Sequence, residues 1–303
     1  MIKIIKDLIM DKWNDWDLGK RPKGIECLLL NHAKLNFVIF KKGDKIPCLL
    51  IKVSKDERLE AEFRNLSYIN PILPRTTPKP YELIKLNGYY VFAEEFIAGK
   101  NLLYQSKREE SINTAFKELI EFHKIVMSYS FILHEEKLEL MIYGPVKKFM
   151  QHDKSDIIRK EIILVLKESE KLRNLEIFNI QQHCDFSFVN ILFQKKGVKI
   201  IDWEDFGKTC LPLHDLFTLV NSLYFGPESF EEFTIKSYVN EIIKSNIIDY
   251  CNVFRIEKKL IKILFPISLI TLFNNSYSFK ARETISKLLE FYFKQKEKFF
   301  IMS

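Results

Sequence analysis

The hydrophobic period of this chain changes partway along, and that change limits what it can fold into. Up to about residue 97, short β-branched and aromatic runs are separated by turn residues at close spacing, the pattern of strands. Glu26 to Leu30, Asn36 to Phe40 and Cys48 to Val53 are predicted strands, with Lys42-Gly43-Asp44 turning between the last two. Glu82 to Lys85 and Tyr89 to Phe96 flank Asn87-Gly88, a strong hairpin signal because both positions tolerate positive φ. Between these pairs, Leu59, Phe63, Leu66 and Ile69 recur three or four apart, which predicts one helix over 58–69. From Ser111 the period is helical, with Ile112, Phe116, Leu119, Ile120, His123 and Val126 on one stripe and Ser111 placed to cap it. A second long helix is expected from Asp156 into the 170s. Ile191 to Phe193 and Val198 to Ile201 then form two short strands around Lys195-Lys196-Gly197, and helical patterning resumes at Leu213. The expected architecture is α+β: a small sheet lobe with one helix over 1–97, then a larger, mainly helical lobe over 98–303.

Charge and cysteine content remove several function classes. The 47 Lys and Arg exceed the 40 Asp and Glu by seven, but they are scattered, with neither a basic cluster nor a recognition motif, so no nucleic-acid partner is expected. The five cysteines are widely spaced and include no C-x-x-C pair, which fits a reducing cytoplasm and gives no zinc or redox signature. Met1 to Trp13 carries Lys3, Lys6, Asp7, Asp11 and Lys12 among its apolar residues, the wrong composition for a leader peptide core. The apolar stretch Ile263 to Phe273 is broken by Pro266 and falls short of the roughly 20 residues a membrane span needs, so no membrane partner is expected and a buried, kinked helix is.

The chemistry concentrates in Gln182-His183-Cys184-Asp185-Phe186-Ser187-Phe188-Val189-Asn190 and in Ile200-Ile201-Asp202-Trp203-Glu204. Phosphoryl transfer asks a protein for an in-line hydroxyl and for cations on the nucleotide phosphates, hence for carboxylates and an amide close together. The spacing H-x-D-x-x-x-x-N offers Asp185 as a base for the hydroxyl proton and Asn190 as an oxygen ligand. Asp202, at the end of a short strand, is placed to hold Mg2+, which prefers such hard oxygens.

These motifs, with Pro212-Leu213-His214-Asp215-Leu216 following, resemble those of the aminoglycoside phosphotransferase and choline kinase superfamily, whose members carry H-G-D-x-x-x-x-N-I-L, I-D-W/F-E and P-x-x-D-L. The resemblance implies a bilobal, protein-kinase-like fold, ATP or GTP as co-substrate with Mg2+, and a small-molecule hydroxyl acceptor. On the same footing, Lys52 in Leu50-Ile51-Lys52-Val53 matches the strand lysine that holds the α- and β-phosphates, and Glu62 its helix partner. Val91 to Gly99 matches the hinge whose backbone binds adenine, with Glu94 and Phe96 in it and the lobe boundary at about 94–99. The resemblance gives His183 and Asp215 supporting roles around the catalytic loop; His123 reads as a packed helix-end histidine and Cys184 as a small buried filler.

Two departures stand out. Cys184 replaces the usual Gly, and no Gly-rich loop separates the first two strands, where Leu30-Asn31-His32-Ala33-Lys34-Leu35-Asn36 stands instead. Asn31, Lys34 and Asn36 are the candidate nucleotide ligands in that stretch. Pro212 and Asp215 follow Asp202 within 13 residues, too short a stretch for the peptide-docking activation segment of a protein kinase. The implied acceptor is therefore a small molecule, either an aminoglycoside or other amino alcohol or antibiotic, or a sugar, nucleoside or choline-type metabolite. For a cationic acceptor, Glu204 and Asp205 are the nearest carboxylates beyond the metal ligand, with Glu228, Glu231, Glu232, Tyr224 and Phe225 further along. A catalytically dead binding protein of the same fold would be favoured by loss of Lys52, Asp185, Asn190 or Asp202, and all four are present.

Overall fold

The turn signals fold as their chemistry requires. Asn87 and Gly88 both take positive φ, 50° and 77°, and close the hairpin of β4 (Pro80–Leu86) and β5 (Tyr89–Glu95). The computed structural model describes residues 2–31, 34–101, 104–105, 108–152, 155–195, 197–222, 241–276 and 278–299. Its chain divides into two compact units, one formed by Met1–Gln105 with Asn190–Phe206, the other by Ser106–Val189 with Gly207–Ser303.

In the first unit, β1 (Ile25–Asn31), β2 (Leu35–Lys41) and β3 (Leu49–Ser54) join β4 and β5 in an antiparallel sheet of order β1-β2-β3-β5-β4. Sequence patterning assigns no element before Glu26, but helix α1 (Ile2–Lys12) is present. Its Ile5 and Ile9, with Trp13 and Trp16 just beyond, belong to the same buried cluster as Phe37, Ile39, Ile51 and Val91 of the sheet. The indole of Trp16 donates to Glu82 (3.0 Å) and that of Trp13 to the Gly19 carbonyl (3.0 Å), so both polar edges are satisfied. Helix α2 (Arg58–Ile69) follows β3; it buries Leu59, Leu66 and Ile69 as expected, and also Glu62.

The segment Asn190–Phe206 joins this unit through its own hairpin, β8 (Ile191–Gln194) with β9 (Gly197–Ile200). Lys100 and Phe193 exchange backbone hydrogen bonds of 3.1 and 2.9 Å, and Ile200 N donates to Thr76 O at 2.7 Å. Gly99 permits the approach: a Cβ there would stand 2.8 Å from that of Leu192. A division at residue 97 follows chain order, whereas these bonds tie a later hairpin back to the sheet.

In the second unit, α3 (Arg108–Val126) begins three residues before Ser111, which is buried inside the helix and does not cap it; Glu109 and Glu110 supply negative charge to the first turn. The chain leaves α3 directly into β6 (Met127–Ile132), which pairs antiparallel with β7 (Glu176–Ile180), a pairing that the helical patterning hid. Helix α4 (Glu135–Leu138) passes through one π turn into α5 (Gly144–His152). A Cβ on Gly144 would meet the Glu139 carbonyl at 2.9 Å, so this widened turn depends on glycine. Ser155 caps α6 (Asp156–Ser169) by accepting from Ile158 N, and α7 (His214–Ser222) is buried throughout. Helices Glu241–Val253, Lys258–Asn275 and Phe279–Phe299 complete the unit. Pro266 lies within Lys258–Asn275, an uninterrupted helix whose centre is buried. Among the described residues no helix is long and apolar enough to cross a membrane.

Trp13 is fully buried where α1 meets the sheet. Replacing it with alanine is expected to destabilise the protein by about 3–5 kcal/mol. Urea denaturation followed by far-UV circular dichroism measures this; an unchanged midpoint would mean that the α1 layer contributes nothing to stability.

Candidate active site

Strand alternation on β3 brings Lys52 to the same side as Leu50, and the residue is 9% exposed. A buried ammonium needs counter-charge. Lys52 Nζ bonds Glu62 of α2 and lies 2.7 Å from Glu94 of β5. Glu62 is 1% exposed; its second oxygen carries no hydrogen bond and faces Lys34 Nζ at 3.5 Å. Lys34, entering β2, bonds Glu204, which Arg58 also approaches at 3.6 Å. Asn65 of α2 donates to the Trp203 carbonyl at 2.9 Å, so the same helix anchors the loop that carries Asp202.

The β8–β9 hairpin places the two predicted metal ligands side by side in the backbone. Ile191 pairs with Ile200, and Ile201 N donates to Asn190 O at 3.0 Å, so Asn190 and Asp202 flank the open end of the hairpin. Asp202 has a φ of 67°, a left-handed conformation uncommon outside glycine and found where a site demands it. Single carboxylate oxygens of Glu62, Asp202 and Glu204 lie within 4.8 Å of one another.

The charges do not balance within this set. Lys34, Lys52 and Arg58 face Glu62, Glu94, Asp202 and Glu204, and Arg58 also bonds Asp56 at 2.6 Å, three cations against five carboxyl groups. Burial works against charge on Lys52, but Glu62, Glu94 and Asp202 outweigh it and hold the ammonium far above its ordinary range. Burial likewise opposes ionisation of Glu62, and Lys52 with Lys34 outweighs it, keeping that carboxyl low. Glu94 is pushed up to about 7 by burial, which Lys52 offsets only in part. Burial and the Glu62 charge raise Asp202 to about 6. Hard oxygens gathered within 4.8 Å, and more carboxyl groups than cations around them, fit a divalent cation such as Mg2+.

A cavity of about 420 Å³ opens onto this set. Its lining combines apolar Leu50, Pro78, Phe96, Ile97, Leu192 and Ile201 with charged Lys34, Lys52, Arg58, Glu94, Asp202 and Glu204. Asn36, paired with Lys52 across the sheet, also lines it. Lys34, Asn36, Lys52, Glu94 and Phe96 are thus brought to one cavity; Asn31 ends β1, and its side chain, like His32 and Ala33, lies outside the described residues. Sequence reasoning gave Glu94 only a place in the hinge and missed its pairing with Lys52. The alternation that puts Phe92, Glu94 and Phe96 on one face was the available signal. It also missed Arg58. Glu204, expected near an acceptor, is engaged by Lys34 and Arg58, while Asp205 is buried. Tyr224, Phe225, Glu228, Glu231 and Glu232 lie outside the described residues.

In the second unit the loop predicted to be catalytic, Gln182 to Asp185, is held by one carboxylate. Asp215, fully buried at the start of α7, accepts from His183 N (2.6 Å) and Cys184 N (2.8 Å). Its own N donates to Gln182 Oε1 (2.9 Å). Asp215 also accepts from His123 Nε2 of α3 at 3.0 Å, and the Tyr250 hydroxyl faces His123 Nδ1 at 2.6 Å. His123 thus does more than fill space at a helix end. Burial favours the neutral acid, but the hydrogen bond from His123 and the neighbouring imidazoles prevail and keep Asp215 below its ordinary value. Cys184 adopts a φ of 70°, the conformation for which glycine is the easier choice, and its side chain is buried. Asp185 follows, partly exposed; its N donates to His183 Nδ1 (3.3 Å) and its O accepts from Ser187 N (2.8 Å).

No protein-family model and no curated protein sequence matches the chain. Solved structures do. The amicoumacin kinase hAmiN, in complex with AMP-PNP and Ca2+, is similar with a TM-score of 0.60 at 12% identity, over 100% of this chain and 98% of that one. A thermostable mutant of aminoglycoside phosphotransferase APH(4)-Ia gives 0.60 at 11%, over 96% and 99%. Choline kinase LicA from Streptococcus pneumoniae gives 0.60 at 13%, over 97% and 99%. The chain therefore has the protein-kinase-like fold of these small-molecule kinases.

Because Asp215 holds two backbone amides and a histidine away from water, Asp215→Ala is expected to cost about 3–5 kcal/mol, the range for removing one partner of a buried charged pair. Its depressed pKa adds a pH signature: its ionisation stabilises the fold fully above the unfolded value of about 3.9, and that contribution is lost as pH falls through the lower folded value. Stability measured between pH 3 and 7 should therefore fall less steeply on the acid side for Asp215→Ala than for the wild type. Parallel acid limbs would remove Asp215 from the role given to it.

Proposed function

We propose that this chain transfers the γ-phosphate of ATP or GTP, with Mg2+, to a hydroxyl of a small molecule. One observation carries the reading: Lys52, Glu62 and Asp202 come from three separate elements into one buried charged set beside a cavity that also has apolar walls. Phosphoryl transfer depends on positioning and on neutralising phosphate charge, and a nucleotide needs an apolar surface for its base and cations for its phosphates.

In this reading Lys52 binds the phosphates, and Glu62 keeps it charged and in place. Asn190 and Asp202 hold Mg2+, with the oxygens of Glu62 and Glu204 close by. The bound ion supplies the positive charge that a triphosphate requires where carboxylates already outnumber cations. Asp185 accepts the proton of the acceptor hydroxyl as the oxygen attacks. His183 and Asp215 hold the loop in shape. The names of the structurally similar kinases and the short spacing from Asp202 to Asp215 support an amino alcohol or aminoglycoside as the acceptor class. Because Glu204 is held by two cations, it belongs with the nucleotide side in this proposal, leaving Asp205 as the acceptor-side candidate of the pair.

Asp185→Asn should retain the fold and bind nucleotide nearly as the wild type does, yet turn over roughly a hundredfold or more slowly, since a positioned base contributes about 10²–10⁴. Steady-state rates over a panel of aminoglycosides, amino alcohols, sugars and nucleosides test this; wild-type turnover by the variant would exclude Asp185 as base. For the metal, Asp202→Ala should weaken Mg-ATP binding more than Asn190→Ala, because a charged ligand is lost in place of a neutral one. Calorimetric titration of both variants gives the order, and a reversed ranking would exchange their roles.

A further inference from the structure

Glu94 is a buried carboxylate in a place where a base pocket has no general need of one. Its side chain is 4% exposed, it lines the cavity, and it shares that lining with Leu50, Pro78, Phe96, Ile97, Leu192 and Ile201. Lys52 already has Glu62 as a partner, so a second carboxylate is superfluous for holding the lysine. A buried carboxylate among apolar walls is costly unless its oxygens find donors. Lys52 Nζ lies 2.7 Å from Oε1, and a base entering the cavity that Glu94 lines would meet the other carboxylate oxygen as its acceptor.

Resting on the nucleotide reading above, we infer that Glu94 reads the base of the bound nucleotide, accepting a hydrogen bond from the 6-amino group of adenine. The donor count favours adenine. A carboxylate that reads guanine does so with both oxygens, from N1–H and the 2-amino group, but here the Lys52 ammonium competes for one. A 6-oxo purine turned to the same edge would set its oxygen against the ionised carboxylate, with no donor between two acceptors, and the ammonium of Lys52 at 2.7 Å favours that ionised form over the neutral acid that could donate. Adenine offers one amino group to the one uncommitted oxygen. Glu94 thus acts as a base-reading residue, and the chain favours adenine nucleotides over 6-oxo purine nucleotides.

The test measures equilibrium binding of the magnesium complexes of ATP, ITP, GTP and purine riboside triphosphate, which lacks any 6-substituent, to the wild type and to Glu94→Gln. The wild type should bind ATP at least roughly tenfold tighter than each of the other three, the scale of one hydrogen bond to a charged group. In Glu94→Gln the amide can donate to a 6-oxo group, so the preference for ATP over ITP should shrink severalfold while ATP still binds. Equal wild-type affinities, a preference for GTP, or an ATP-to-ITP ratio untouched by Glu94→Gln would each overturn the inference. Should Glu94→Gln fail to fold, Glu94→Met, which removes both acceptor oxygens, should bring the ratio of ATP to purine riboside triphosphate severalfold closer to one, and a ratio equal to that of the wild type would count against the inference. Absence of binding by all four nucleotides would instead bring down the phosphotransferase reading and this inference with it, an outcome distinct from indiscriminate binding.

Discussion

The buried ion pair of Lys52 with Glu62 constrains the rest of the first unit. Removing either charge from water costs several kcal/mol, and the pairing recovers this only if strand and helix hold the two groups in register. That requirement explains why α2 packs a glutamate into a stripe otherwise made of Leu59, Leu66 and Ile69. It also explains why the helix is fixed at a second point, through Asn65 to the Trp203 carbonyl. The same bond fixes the backbone just after Asp202, so Lys52 and the loop that carries Asp202 are positioned by one helix. Breaking the pair would leave either an ammonium or a carboxylate among apolar strands, with Glu94 and Lys34 the nearest compensating charges.

The second unit solves a different problem with a similar economy of parts. The loop from Gln182 to Asp185 must hold its backbone in an awkward shape without the hydrogen bonds of a helix or sheet, and Asp215 supplies them from the first turn of α7. Cys184 takes a left-handed φ there, a strain that a residue with a Cβ tolerates only when the surroundings impose it. The two hydrogen bonds to Asp215 and the burial of the thiol side chain are those surroundings. Through His123 and Tyr250 the same carboxylate is linked to α3 and to helix Glu241–Val253, so the loop is braced by three helices of its own unit.

The parts of this architecture that were legible in the sequence are those written in local chemistry. Asn87-Gly88 set a turn, alternation set the strands, and the spacing of Asp185, Asn190, Asp202 and Asp215 set the motif. What stayed hidden was decided by tertiary partners. Helix α1 does carry helical spacing at Ile5, Leu8, Ile9 and Trp13, so its existence was open to reading; its seat on the sheet, through Trp13 and Trp16, was not. The β6–β7 pairing joins residues some 50 apart and has no turn between them to announce it. Ser111 resembles a cap, but Glu109 and Glu110 extend the helix beyond it. For Glu94 the sequence shows an acidic residue at a strand end, ordinarily a solvated one, and only the facing Lys52 makes it a buried partner.

The return of the β8–β9 hairpin to the first unit affects how the chain can be divided. A fragment ending near residue 105 would carry the five-stranded sheet but leave Phe193 and Ile200 absent, exposing the Lys100 and Thr76 backbone groups they satisfy. A fragment beginning there would carry an orphan hairpin in the middle of a helical body. Fragment complementation or circular permutation must therefore treat 190–206 as cargo of the N-terminal piece, however far downstream it is encoded. During synthesis, too, the sheet unit leaves the ribosome incomplete and waits for some 85 further residues before its last two strands arrive.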